Sequence, residues 1–196
     1  MSEGWVAALE PGAPDIIAAW RGIDEGAFLS VRREVRRRAG AGTTASLVAQ
    51  LDVLAEALIA SVRELPEDAF GLPGGEEEWT VAQTIGHVAT ARSGLVLAAA
   101  LAATDRWPDD APIVVPGVPG PPAVDRADLV RRIEQSQRIV ARSAQRVAGA
   151  ELTPCALEHP LVGRLRCGEW LLFAGVHDVM HLEQLHRIEA ELAGTP

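Results

Sequence analysis

The residues best suited to do chemistry in this chain are His177 and His181, set four apart inside EWLLFAGVHDVMHLEQLHRIEAEL, residues 169–192. The stretch reads as one long helix. At about 100° per residue the two rings lie roughly 40° apart, and Trp170, Phe173, Ala174, Met180, Leu185 and Ile188 fall on the same side. Both imidazoles therefore sit in an apolar stripe, where an uncompensated polar group costs about 1–3 kcal/mol. One compensation is a shared metal ion, because histidines at i and i+4 reach a common cation. The other is ordinary hydrogen bonding within a core. Gln184 stays on the histidine face and is placed to support a ring, Asp178 falls on the stripe's edge, and His186 projects to the opposite, wet face.

HDVMH also has the form of the zinc-protease pattern HExxH, with Asp178 in place of glutamate. A protease is not expected. Aspartate is one methylene short for the general-base role, and the longer zinc motif needs glycine and histidine where this chain has Gln184 and Arg187.

A third ligand and a frame to hold it must come from elsewhere. His87 lies two turns into a helix expected over Val81–Ala103, whose start is set by a Thr80/Gln83 capping box. It is the only ionisable residue between Trp79 and Arg92, and reads either as a core histidine bonded to a carbonyl or as the missing ligand. His159, followed by Pro160 and Gly163, belongs to an extended turn, either structural or at a pocket mouth. Thr44–Leu65 forms a packing helix with Leu47, Leu51, Leu54, Leu58 and Val62 at helical spacing. Asp125 caps a further helix, Arg126–Ala148, closed by Gly149 and wet on one side, where Glu134 or Gln137 approaches a site from the flank.

Four long helices and no convincing strand give an all-α four-helix bundle over residues 43–196. Residues 104–124 contain six prolines and cannot be helical; Trp107, Ile113, Val114 and Val115 argue for an ordered crossover loop over one end of the bundle. Residues 1–42 form a helical extension, with short helices at Pro14–Trp20 and Gly26–Ala39. The second carries Arg32, Arg33, Arg36, Arg37 and Arg38 and is expected to pack Phe28, Leu29, Val31 and Val35 on the main body.

Composition narrows the functions. Net charge is −9 in 196 residues, which argues against a dedicated nucleic-acid binder. No unbroken apolar run approaches the roughly 20 residues of a membrane span and the N-terminus lacks signal-peptide order, so a cytoplasmic protein with no membrane partner is expected. All eighteen basic residues are arginine and tyrosine is absent, which removes lysine Schiff-base and tyrosine acid–base chemistry. Cys155 and Cys167 read as two free thiols.

Three neutral imidazoles with one open coordination position would form a catalytic arrangement rather than a closed structural one. Water there would fall from a pKa of about 15.7 to about 7, and a thiol would be deprotonated.

EWTVAQTIGHVA together with EHPLVGRLRCGEWLLFAGVHDVMHLEQL resembles the DinB/YfiT-like superfamily of metal-binding four-helix bundles. The shared features are a Trp-Thr helix start with a histidine eight residues after the tryptophan, then a His-Pro…Gly turn into a final HxxxH helix. The resemblance spans about residues 44–193. It implies that His87, His177 and His181 hold a divalent ion, usually zinc or nickel, that the protein is a homodimer, and that its relatives include transferases and isomerases dependent on mycothiol or bacillithiol. The expectation is a metal-dependent S-transferase acting on a small electrophile beneath the Pro-rich loop, with Arg92 or Arg164 holding carboxylates of the thiol. The alternatives are a metal-dependent hydrolase, for which only Asp178, Glu134 or His159 offers a base, and a noncatalytic metal-binding or dimerising bundle.

Overall fold

Leu47, Leu51, Leu54 and Leu58 recur at intervals of three and four residues, and that stripe is the buried face of α4 (Thr44–Glu64). A computed structural model describes residues 4–23, 28–39, 43–75, 78–122 and 125–194. Around α4 stand α5 (Val81–Ala103), α6 (Arg126–Ala144) and α7 (Cys167–Gly194). Each of α4 and α5 packs against both α6 and α7, which closes a ring of four. Thr43 caps α4 through Ser46, the Thr80/Gln83 capping box opens α5, and Asp125 caps α6 through Asp128. These caps satisfy first-turn amides, so helix starts are well specified locally. Helix α6 stops four residues short of the expected Ala148, because Arg146 and Val147 turn their N–H groups onto carbonyls three residues back. Gly149 then takes a left-handed φ of 83°, a conformation that glycine adopts without steric cost.

By length and mean hydropathy, 1.6 and 1.4, α4 and α5 are long and apolar enough to cross a membrane. Half of each such window is buried within the bundle.

The expectation of no strand needs correction. Pro154–His159 (β1) and Gly163–Arg166 (β2) form an antiparallel hairpin between α6 and α7. Its signal is short but present: Cys155 and Leu157 face the core while Pro154, Ala156 and Glu158 face out, the two-residue period of a half-buried strand. His159 pairs with Gly163, whose φ of +63° closes the turn.

Three helices precede the ring: α1 (Gly4–Leu9), α2 (Pro14–Arg21) and α3 (Phe28–Ala39). Ile16 and Ile17 of α2 are fully buried against the main core. A Cβ on Gly175 of α7 would stand 2.4 Å from Ile16 Cδ1, so the glycine lets the two helices approach closely. Gln50 ties α2 to α4, accepting the N–H groups of Asp15 and Ile16 and donating to the Asp15 carboxylate. On α3, Val31 and Val35 are buried as expected, but Leu29 is 81% exposed. The side chain of Phe28 and the start of that helix at Gly26 lie outside the described residues.

Candidate metal centre and its cavity

His87 from α5 meets His177 and His181 from α7 in one cluster, with one ring nitrogen from each lying within 4.8 Å of the others. His177 and His181 are buried and His87 half-buried. His177 Nε2 and His181 Nε2 stand 3.3 Å apart, about the span of two nitrogens on one tetrahedral ion with bonds of about 2.0–2.1 Å.

Hydrogen bonds choose which nitrogen each outer ring presents. His87 Nδ1 lies 2.8 Å from the Val118 carbonyl and His181 Nδ1 lies 2.8 Å from Gln184 Oε1. Oxygen acceptors there put both protons on Nδ1 and leave both Nε2 atoms as lone pairs. Gln184 is itself oriented by donating to the Gly74 carbonyl. His177 Nδ1 is buried with no partner among the described residues. Burial, reinforced by the neighbouring histidines, holds His177 well below its ordinary pKa, so it stays neutral and ligand-competent. A convergent set of neutral nitrogens fits a divalent borderline ion such as zinc.

Two further contacts support the site, one from the Trp-Thr helix start and one, from the Pro-rich connection, with no motif in the sequence. Trp79, just before α5, packs on His87 with centroids 5.0 Å apart. The Val118 carbonyl belongs to the Pro-rich connection, which is fastened along its length. Ile113 and Val115 exchange backbone hydrogen bonds with Glu158 of β1, and Gly120 N–H donates to the Gln83 carbonyl. Gly120 presses on Gly86, where an added Cβ would stand 2.6 Å from both Gln83 O and Gly86 Cα. We expect Gly120→Ala to lift the strap from α5, release the His87 tautomer and weaken metal affinity about 10–100-fold, the usual effect of losing such a supporting bond. Competition with a chelating dye measures it.

Beside the histidines opens a cavity of about 670 Å³, walled by α5, the strap and β1. Trp107, Pro108, Pro112 and Val115 of the strap line it, whereas Ile113 and Val114 point outward at 55% and 51% exposure.

The structure redistributes the other candidate residues. Arg92 is not at the mouth. It is wholly buried, donating to Asp178 Oδ2 at 2.8 Å, Ser136 Oγ at 3.3 Å and the Leu51 carbonyl at 2.8 Å. Asp178 is thereby removed from general-base duty: it faces Arg92, and burial raises its pKa to about 6 against the pull of that guanidinium. Arg164 is exposed beside Glu158 at 3.4 Å and does not line the cavity. Glu134 sits on the outer side of α6 in a separate groove with Arg63 and Arg126. His186 is half-buried, paired with Glu189 and packed against Trp5. Cys155 and Cys167 are free thiols as expected, and both are buried.

His159 does line the cavity. Its ring packs edge-on against Phe173 with centroids 4.9 Å apart, and its Nδ1 accepts the Leu161 N–H at 3.1 Å. Burial, with the neighbouring His87, lowers its pKa to about 4. Unfolded, it titrates near 6.5, so the unfolded chain binds the extra proton first and stability falls as pH drops from about 6.5 toward 4. Urea denaturation of metal-free protein at pH 7 and pH 5 should show that loss, and His159→Gln should reduce it.

Residues 50–185 match the DinB superfamily. The chain belongs to that superfamily. The match covers more than half of its length and contains all three histidines, so this DinB superfamily protein has its metal-binding cluster inside the family domain. No curated protein and no solved structure matches the chain significantly.

Proposed function

We propose that this DinB superfamily protein is a metal-dependent S-transferase that uses a low-molecular-weight thiol of the mycothiol type. One observation carries the reading: a three-nitrogen cluster faces a cavity whose described lining contains no carboxylate. Water on such an ion would reach a pKa of only about 7, so hydrolysis gains from a base nearby to take its proton. Asp178 is paired with Arg92, Glu134 lies in another groove, and the Nδ1 lone pair of His159 is occupied by Leu161. A thiol needs no such base, because a divalent ion bound by His87, His177 and His181 would hold its sulfur deprotonated at neutral pH. The chain's own residues do the remaining work. Val118 and Gln184 hold two ligands in the productive tautomer. Apolar walls keep water from competing with the sulfur for the electrophile.

Thermal shift of zinc- or nickel-loaded protein with mycothiol tests this. At about 100 times Kd a ligand adds about 2.7 kcal/mol, enough to raise the Tm by several degrees. The shift should vanish in His177→Ala. Metal-loaded protein that takes up no thiol would leave a metal-binding bundle without this activity.

A further inference from the structure

The cavity beside the histidines lacks counter-charges throughout. Trp79, Leu95, Leu101, Trp107, Val115 and Leu161 form its walls, and among the described residues that line it there is no aspartate, glutamate or arginine. Away from the ion that His87, His177 and His181 would hold, an anionic or cationic group entering such a space loses its hydration with no side-chain charge to replace it. Of the arginines near it, Arg92 is sealed in the core, Arg164 is paired outside with Glu158, and Arg106, next to Trp107, is exposed and does not line the space.

His159 supplies a directed polar group. A neutral imidazole carries one proton, and Nδ1 cannot hold it while accepting the Leu161 N–H at 3.1 Å. The proton is therefore on Nε2, which makes no hydrogen bond within the chain among the described residues. Phe173 braces the ring edge-on, and the tight turn at Gly163 fixes the strand end that bears it. His159 thus brings an unmatched N–H to the lining of a largely apolar space, whose other polar side chains are Thr90, which donates to the Gly86 carbonyl, the indoles of Trp79 and Trp107, and the histidine cluster itself. A ligand with no acceptor would leave the His159 donor unmatched.

We propose that the electrophile is a neutral, predominantly apolar molecule carrying one acceptor oxygen, such as a ketone, ester or amide carbonyl, which receives the His159 Nε2–H. The assignment rests on reading the three-histidine cluster as the reactive end of this cavity. His159 is then a substrate-binding donor and not a base.

Three probes of similar shape separate the terms: 4-phenylbutan-2-one, neutral with a carbonyl; 3-phenylpropanoate, anionic; and butylbenzene, neutral without an acceptor. Binding is measured by calorimetry on the full chain after chelator treatment, with helix content checked by circular dichroism, so that no ion can capture the carboxylate. The ketone should bind at least about tenfold tighter than the carboxylate and be preferred over butylbenzene by the several-fold that one hydrogen bond contributes. His159→Phe, which preserves the ring packing on Phe173, should bring ketone and hydrocarbon within about twofold, and His159→Gln, which keeps a donor, should retain most of the preference. If the chelated chain loses helix, the ketone and butylbenzene are compared in zinc-loaded protein, where neither brings a charge. Equal or tighter binding of the carboxylate, a ketone preference unchanged in His159→Phe, or no binding of any probe would overturn the proposal. Thiol binding by the zinc-loaded sample is read in parallel: its absence with these ratios intact overturns the S-transferase reading and leaves the cavity assignment standing.

Discussion

Replacing any one of His87, His177 or His181 with alanine abolishes stoichiometric metal binding, whereas His159→Ala and His186→Ala keep about one ion per chain. Elemental mass spectrometry on untagged protein is the measurement. The contrast follows from position. The first three bring their ring nitrogens within 4.8 Å of one another, and two neutral nitrogens hold a divalent ion far less tightly than three. His159 has Nδ1 committed to Leu161, and His186 is occupied with Glu189 and Trp5. Gln184→Ala should fall between, losing about 10–100-fold in affinity, because His181 then lacks the acceptor that keeps its proton on Nδ1. Retention of metal by all three alanine variants would place the ion elsewhere and remove the basis for both functional proposals.

The largest loss of stability is expected at Arg92, a residue that touches no ligand. Arg92 and Asp178 are both fully buried and bonded at 2.8 Å. Removing either partner leaves the other as an isolated charge in the core, which costs about 3–5 kcal/mol. In a chain of this length, that lowers the Tm by roughly 10 °C or more. The double variant Arg92→Met with Asp178→Leu should recover most of the loss, since a buried pair and a well-packed apolar replacement are often close in free energy. Asp178 follows His177 directly, so the pair also fixes the angular position of α7 against α5, the two helices that carry the ligands. Additive losses in the double variant, measured by urea denaturation, would show that the two residues act independently.

The comparison of Arg92 with His87 shows where local reasoning stops. Both lie on α5, and both were recognisable as polar residues in an apolar helix. For His87 the helix and its capping box were legible from periodicity but left a core histidine and a ligand both open, and the ligand role came from the resemblance that begins at Trp79. For Arg92 the same periodicity could not say that Asp178, 86 residues away, would meet it in the core. A sequence without its partner makes a lone arginine look like a surface or mouth residue, because an unpaired buried guanidinium is so costly.

The hairpin at 154–166 was legible in principle from the alternation of Cys155 and Leu157 with exposed neighbours, but two short strands give a weak periodic signal beside four long helices. The strap was legible only in part. Six prolines excluded a helix, while the contact of Gly120 with Gly86 and the bond from Val118 to His87 depend on where the chain returns. What the amino-acid sequence determined alone was the helical frame, its caps, and the three histidines on apolar faces, all of which follow from repeats and caps within a few residues. What only the tertiary structure decided was which polar groups those faces meet: Val118 and Gln184 at the ligands, Asp178 at Arg92, and a cavity whose described lining carries no formal side-chain charge. Those outcomes depend on long-range proximity, and burial makes each of them energetically large.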